Sequence, residues 1–89
     1  MVWRIELSTL GQKNIAKLDS KTRDRVLRFL FERVAKLDDP RSIGEALKGS
    51  ELGNFWKYRV GDYRIIADIQ DGALCVLVVK IGNRREVYR

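Results

Sequence analysis

The stretch FWKYRVGDYRIIADIQDGALCVLVVKI, residues 55–81, decides the fold because its side chains follow the two-residue period of β-strands. Residues 55–60 and 63–69 alternate in this way, which predicts two strands. Gly61 and Asp62 between them suit a tight hairpin turn. The stretch therefore predicts an antiparallel sheet in this half of the chain.

The remaining elements of this predicted sheet follow from turn signals. The Asp-Gly dipeptide at residues 71–72 is the strongest short hairpin signal in the chain. Residues 73–81 are apolar on both faces, which is typical of a central strand. The Gly-Asn dipeptide at residues 82–83 is expected to break this strand, and residues 84–89 can return as a last short strand.

Upstream, the apolar residues change to helical spacing. Residues 2–7 still alternate, which predicts an opening strand. Ser8 can cap a helix that runs to Leu18, and residues 21–37 carry apolar side chains three and four positions apart, which predicts a second helix. No regular element is assigned to the connector at residues 40–54. A strand, a helical hairpin and then an antiparallel β meander predict an α+β fold.

The composition limits the classes of function. A chain of 89 residues fits a single domain over residues 1–89. The net charge of +6 favours an anionic partner such as nucleic acid. Histidine is absent, which excludes imidazole-based catalysis and histidine-ligated metal sites. The one cysteine, Cys75, lies in an apolar run too short to span a membrane, so we expect a core thiol and a cytoplasmic location.

Strand alternation groups basic residues on one face of the predicted sheet. Lys57 and Arg59 share a face, and Arg64 of the next strand lies on the same side. Arg84 and Tyr88 can join them, about 13 Å apart on a straight strand. Guanidinium groups bind phosphate oxygens and tyrosine stacks on bases, so the group suits a phosphodiester. The alternative is an ordinary solvated face, which antiparallel sheets often have.

Two segments resemble the RelE toxins of bacterial and archaeal toxin–antitoxin pairs, in the RelE/ParE superfamily. They are LKGSELGNFWKYRVGDYRII at residues 47–66 and VVKIGNRREVYR at residues 78–89. The resemblance covers nearly the whole chain and implies a RelE-like domain related in architecture to microbial ribonucleases. It also implies an mRNA endoribonuclease that needs no metal or cofactor and acts in the ribosomal A site. A RelB-like antitoxin would inhibit it, and the pair would bind operator DNA.

Carried over by position, the resemblance assigns roles to the residues that alternation groups together. Lys57, Arg64, Arg84 and Tyr88 are expected to be catalytic, and Arg59 is expected to bind substrate. The implied reaction is attack of a ribose 2′-hydroxyl on the adjacent phosphate, which leaves a 2′,3′-cyclic phosphate. RelE toxins often have lysine where this chain has Arg59, and arginine is a poor base because it stays protonated. Lys57 is therefore the first candidate for the base and Tyr88 the second.

Two further functions are compatible with the same fold. A ParE-like toxin would inhibit DNA gyrase and would cut no RNA. Toxins of that kind generally lack the set of Lys57, Arg64, Arg84 and Tyr88, which favours the RelE-like function. A catalytically weakened relative would act only as an antitoxin-binding corepressor, and the departure at Arg59 keeps that alternative open.

Overall fold

The computed structural model describes residues 2–47 and 55–85, and these form one five-stranded sheet and two α-helices. The strands are β1 (Arg4–Leu7), β2 (Glu45–Ala46), β3 (Phe55–Val60), β4 (Tyr63–Gln70) and β5 (Cys75–Asn83). They lie in the order β1-β5-β4-β3-β2. Neighbouring strands from β2 to β5 are antiparallel, whereas β1 runs parallel to β5, so the sheet is mixed.

The first helix, α1 (Thr9–Ala16), lies against β5 and is capped as predicted. The Ser8 hydroxyl accepts a hydrogen bond from the amide of Gly11 at 2.9 Å. A Cβ atom on Gly11 would lie 2.8 Å from the carbonyl oxygen of Val78. Glycine lowers helical propensity, but at this position it lets the helix approach the backbone of the sheet.

The second helix, α2 (Ser20–Arg28), is capped by Asp19, whose side chain accepts a hydrogen bond from the amide of Thr22 at 3.1 Å. Helical turns continue through Phe29–Arg33 with π geometry and through Val34–Lys36 with 3₁₀ geometry. The predicted helix over residues 21–37 therefore has nearly the right extent, although it is not one uniform α-helix. Among the described residues, no helix has the length and apolar character needed to cross a membrane.

The hydrophobic core lies between the helices and one face of the sheet. Val26, Leu30 and Val34 of the second helical segment are fully buried. They form one cluster with Trp3 and with the inward side chains of β3, β4 and β5, namely Tyr58, Ile65, Ala67, Ile69, Val76, Val78 and Ile81. Strand alternation predicts this inward face for β3 and β4, and the opposite face is left for polar residues.

The connector is fixed to the sheet by long side chains. Pro40–Ile43 form a 3₁₀ turn, and the Tyr58 hydroxyl donates a hydrogen bond to the first carbonyl of that turn. Arg41 forms a two-pronged ion pair with Asp71, and its guanidinium lies 5.9 Å from the ring centroid of Trp56. The hydrogen bond from Arg41 lowers the pKa of Asp71. These contacts hold the short strand β2 beside β3.

The turn between β4 and β5 differs from the prediction. Asp71–Ala73 form a 3₁₀ turn, and Leu74 then adopts a left-handed conformation with φ 47°. The predicted hairpin at the Asp-Gly dipeptide is present, because β4 and β5 are antiparallel neighbours, but its turn spans residues 71–74 and β5 begins at Cys75 rather than at residue 73. A left-handed conformation is uncommon for leucine, so the presence of Leu74 gives no reason to predict this turn from the sequence.

The carboxyl end of β5 also differs from the prediction. Residues 82–83 do not break the strand, because they pair with the start of β4. Arg84 and Arg85 then form a turn and do not begin a strand. The rest of the predicted last strand, residues 86–89, lies outside the described residues.

Candidate functional site

Four basic residues of β3, β4 and β5 lie on the face of the sheet that points away from the helices, and we call this set the cationic face: Lys57, Arg59, Arg64 and Lys80. Arg59 of β3 lies directly opposite Arg64 of β4, which puts their Cβ atoms about 4.5–5.5 Å apart. Lys57 and Lys80 flank Ile66 from the two neighbouring strands, with about 10 Å between their backbones. The structure thus brings Lys57, Arg59 and Arg64 together, as strand alternation predicts.

Lys80 joins the cationic face through a β-bulge that the sequence analysis missed. Val78 points into the core, so strict alternation would turn Lys80 inward as well. The register of β5 shifts between Ile66 and Ala67 of β4, so Val79 is left out of the ladder and Lys80 pairs with Ile66. The available signal was a lysine at an inward position of a buried strand, which conflicts with regular alternation.

Two polar side chains at the start of the chain hold this bulge in place. The Ser8 hydroxyl donates a hydrogen bond to the carbonyl of Val79 at 2.7 Å. The side-chain oxygen of Asn14 accepts one from the amide of Ile81 at 2.9 Å. Strand β1 pairs with β5 only as far as Val78, so these bonds satisfy backbone groups that lie beyond its end. The placement of Lys80 therefore depends on two side chains of the capped helix α1, those of Ser8 and Asn14.

Arg64 is buried, with 8% of its surface exposed. Its Nη1 donates hydrogen bonds to the carbonyl oxygens of Gly61 at 3.1 Å and Tyr63 at 3.0 Å. Within the described part of the chain it has no carboxylate partner. A buried guanidinium without a counter-charge is unfavourable by itself, which is expected of a group that binds an anion. Arg59, opposite it, is exposed.

Glu45 adds a carboxylate at the edge of the cationic face. Strand β2 places it directly opposite Lys57, and its Oε2 lies 3.3 Å from the lysine Nζ. The lysine side chain is 18% exposed and the glutamate side chain 62%. The pair therefore offers a proton acceptor and a proton donor, and sequence reasoning missed Glu45 because it lies in the unassigned connector.

Arg84 lies just after β5, beside the turn that joins β3 and β4. Its backbone amide donates a hydrogen bond to the carbonyl of Asp62 at 2.9 Å, and its side chain is exposed. It lines an open depression of about 190 Å³ together with Asp62, Asn83 and Arg85. The buried guanidinium of the cationic face contacts the same turn, so Arg84 lies at one end of that face.

Cys75 lies on the same side of the sheet but is chemically inert. Its thiol is fully buried and donates a hydrogen bond to a Glu6 carboxylate oxygen at 3.4 Å. Burial raises the pKa of the thiol, and the bond to Glu6 raises it further. The sulfur therefore stays protonated, in agreement with the interpretation of Cys75 as a core residue.

The cationic face and Arg84 together can bind an anion that carries several oxygen atoms. Arg59 and Arg64 can each donate two hydrogen bonds to one phosphate. Lys57 and Glu45 lie next to this position and can exchange protons with it. Tyr88, the remaining residue of the predicted site, lies outside the described residues.

Comparison with known proteins places the chain among toxins. The family model described as "ParE toxin of type II toxin-antitoxin system, parDE" matches residues 5–88. The RelG toxin of Mycobacterium tuberculosis is 25% identical over 89 residues, which are 100% of this chain and 99% of the relative. The RelE toxin of the same organism is 25% identical over 87 residues, which are 98% of this chain and 87% of the relative.

Solved structures share the fold. The toxin–antitoxin complex RelBE2 from Mycobacterium tuberculosis contains a chain that matches with a TM-score of 0.85 and 22% identity, over 97% of this chain and 95% of that one. The isolated E. coli RelE toxin matches with a TM-score of 0.72 and 22% identity, over 97% and 90% of the two chains. The predicted α+β, RelE-like fold is therefore confirmed.

Proposed function

The chain belongs to the ParE toxin family of type II toxin–antitoxin systems, within the RelE/ParE superfamily, and we propose that it is a ribosome-dependent mRNA endoribonuclease. The observation that carries this proposal is the directly opposed pair of Arg59 and Arg64 on the cationic face. Like charges in this position destabilise a sheet, whereas a phosphate held between two guanidinium groups stabilises both. A polyanion whose phosphate groups bind along the cationic face is therefore the substrate that matches this arrangement.

In the proposed reaction a ribose 2′-hydroxyl attacks the adjacent phosphorus. The 2′-oxygen bond to phosphorus forms, the bond to the 5′-oxygen breaks, and the products are a 2′,3′-cyclic phosphate and a 5′-hydroxyl. Arg59 and Arg64 hold the phosphate oxygens, and Arg84 stabilises the leaving 5′-oxygen, which takes its proton from water. Tyr88 stacks on the base and orients it. The guanidinium groups provide hydrogen-bond donors and positive charge for these roles, so the proposal requires no metal or cofactor.

The proton acceptor is assigned to the pair of Lys57 and Glu45. An ammonium group carries only donors, whereas the carboxylate that lies 3.3 Å from it carries acceptor oxygens. Glu45 can therefore take the 2′-hydroxyl proton. Lys57 then positions the carboxylate and the phosphate. Arg59 no longer has to be the base, so the departure from the lysine that RelE toxins often have does not argue against activity.

The proposed partners follow from the same family membership. A RelB-like antitoxin neutralises the toxin, and the pair binds operator DNA; solved relatives include complexes of RelE with RelB. The ribosome presents mRNA to the cationic face in the cytoplasm. Weak acid–base groups suffice in that setting, because positioning of the reacting groups can supply about 7–11 kcal/mol.

Two adjacent arginines provide a matched test of the function. Arg84 and Arg85 are both exposed and lie in the same turn, but the proposal gives a catalytic role to Arg84 alone. Induced expression of Arg84→Ala should abolish growth arrest and cuts within codons, while Arg85→Ala should retain both. Urea unfolding should find both variants within about 0.5 kcal/mol of wild type. A folded Arg84→Ala protein that still cuts mRNA would contradict the assignment.

Inhibition of DNA gyrase is a second candidate, because the matching family model is named after ParE. A supercoiling assay separates the two functions. We expect gyrase to stay active at toxin concentrations that stop translation in an extract. Gyrase inhibition that survives in Arg84→Ala, with intact mRNA, would favour the second candidate. A wild-type protein that does neither, but still represses with its antitoxin, would favour the corepressor function.

A further inference from the structure

A depression of about 200 Å³ lies at the outer edge of β3, next to the cationic face. It is lined by Phe29, Arg33, Ile43, Glu45, Lys57 and Arg59. The first three come from the helical segment and the 3₁₀ turn, and the last three come from β2 and β3. The depression therefore joins the proposed reaction site to the edge of the helical layer.

The lining combines an apolar floor with a charged rim. Phe29 and Ile43 are partly buried and pack against the core, and the Phe29 ring lies edge-on to Tyr58 with centroids 5.9 Å apart. Arg33 is exposed, and its side chain forms no hydrogen bond or ion pair with the described part of the chain. Three cations against one carboxylate leave the rim positive, which matches a ligand with an apolar plane and an anionic group.

The backbone of β3 adds polar groups to this edge. The carbonyl of Phe55 accepts a hydrogen bond from the amide of Leu47, so the backbone of Phe55 faces the outer edge of the sheet. In an antiparallel strand every second residue faces the same edge, and Arg59 is therefore one of them. Among the described residues β2 reaches no further along β3 than Lys57. The amide and carbonyl of Arg59 therefore face the depression, where they offer one donor and one acceptor in the plane of the sheet.

We infer that this depression binds the base of the nucleotide that precedes the attacked one in the RNA, and that Arg33 determines how tightly it is held. Single-stranded RNA is read by stacking of unpaired bases on aromatic or guanidinium planes and by hydrogen bonds to their edges. Phe29 and Arg33 provide the planes, and the backbone of Arg59 provides the edge contacts. The volume is below the 300–1,000 Å³ of pockets for drug-sized ligands, which suits one base.

This inference deepens the proposed function and rests on it for its biological role, but its test uses neither ribosomes nor cleavage. The full-length protein is titrated with each 5′-mononucleotide, and separately with inorganic phosphate, while NMR follows the Phe29 ring and the Ile43 methyl groups. Nucleotides should shift these signals to saturation, and phosphate alone should leave them in place. Identical shifts with phosphate would overturn the base-binding role.

Two arginines of the helical segment provide the matched variants. Arg33→Ala should weaken nucleotide binding about tenfold, because a charge-assisted contact is lost. Arg28→Ala removes a side chain that is 73% exposed, lies in α2 and does not line the depression, so binding should not change. Equal weakening in both variants would reduce the effect to net charge and overturn the inference. A saturable shift in a protein that proves unable to cut mRNA would leave the site standing and refute only the function.

Discussion

Arg59 and Arg64 lie directly opposite each other on the neighbouring strands β3 and β4, so two positive charges are held close together. Replacement of the exposed partner, Arg59→Thr, should raise the free energy of unfolding by about 0.2–1 kcal/mol, because a like-charge pair is removed. The same change should reduce RNA cleavage. Urea unfolding at low salt measures the gain, which should shrink in 1 M NaCl, where the Debye length is about 3 Å. A destabilised variant with normal cleavage would contradict the role of this pair.

The proton acceptor is Glu45 in the proposed reaction, and Lys57 is the alternative; substitution of Glu45 distinguishes the two. Glu45→Gln keeps the shape of the side chain but removes the base, so cleavage should fall by about 10²–10⁴-fold. Stability should change little because the side chain is 62% exposed. The check is single-turnover cleavage of ribosome-bound mRNA between pH 5 and 9, with Glu45→Asp as the control that keeps a carboxylate. Normal or faster cleavage by Glu45→Gln would return the role of base to Lys57.

The sequence predicts the site residues whose positions follow from the local strand period. It misses the site residue whose position depends on pairing between distant segments. Lys57, Arg59 and Arg64 follow from alternation alone, because β3 and β4 are regular. Glu45 can be recognised as a site residue only from the structure, where the two residues of β2 pair with β3. Those two residues are too few to produce a period of their own.

Among the elements, the bulge in β5 has the clearest functional consequence, since it turns Lys80 onto the cationic face. Ser8→Ala should destabilise the protein by about 1–3 kcal/mol, because it removes a helix cap and a hydrogen bond to the bulged backbone. Thr9→Ala, one residue further along the same segment, is the control and should stay within about 0.5 kcal/mol of wild type. Equal urea midpoints for the two variants would contradict this role of Ser8.

The sequence could not reveal this bulge by strand propensity, because residues 76–79 are all valine or leucine and suit either face of a buried strand. The same holds for the turn at Leu74, where an uncommon backbone conformation falls on a residue with no preference for it. Elements with a strict period were predicted well. Elements that depend on a local irregularity were not, because the irregularity is stabilised by distant residues such as Ser8 and Asn14.

Across the whole molecule, stability should fall in strong alkali because of Tyr58. This tyrosine is 1% exposed, and burial raises its pKa from 10.0 to about 12. Its folded-state pKa lies above the unfolded value, so the stabilisation is complete below pH 10 and is lost as the pH rises through 12. The loss should total roughly 2–3 kcal/mol. Urea unfolding at pH 8 and pH 11.5 measures most of this loss, about 2 kcal/mol, and Tyr58→Phe should reduce the difference by that amount; an unchanged difference would contradict the assignment.

The overall architecture was predictable as a class but not as a topology. Helices followed by an antiparallel meander indicate an α+β fold, which the solved relatives confirm. The parallel pairing of β1 with β5 joins residues about 70 positions apart in sequence, from Arg4 opposite Cys75 to Leu7 opposite Val78. An alternating pattern predicts a strand but carries no information about its partner, so this pairing required the structure.

We propose that the cationic face cuts RNA by attack of a ribose 2′-hydroxyl. The most direct measurement uses ribosomes programmed with an mRNA that carries a single 2′-deoxynucleotide at the mapped cut, beside the all-ribose message. The all-ribose message should yield a 2′,3′-cyclic phosphate end, and the deoxy-substituted message should stay intact at that position. Cleavage of the deoxy-substituted bond at the normal rate would contradict it.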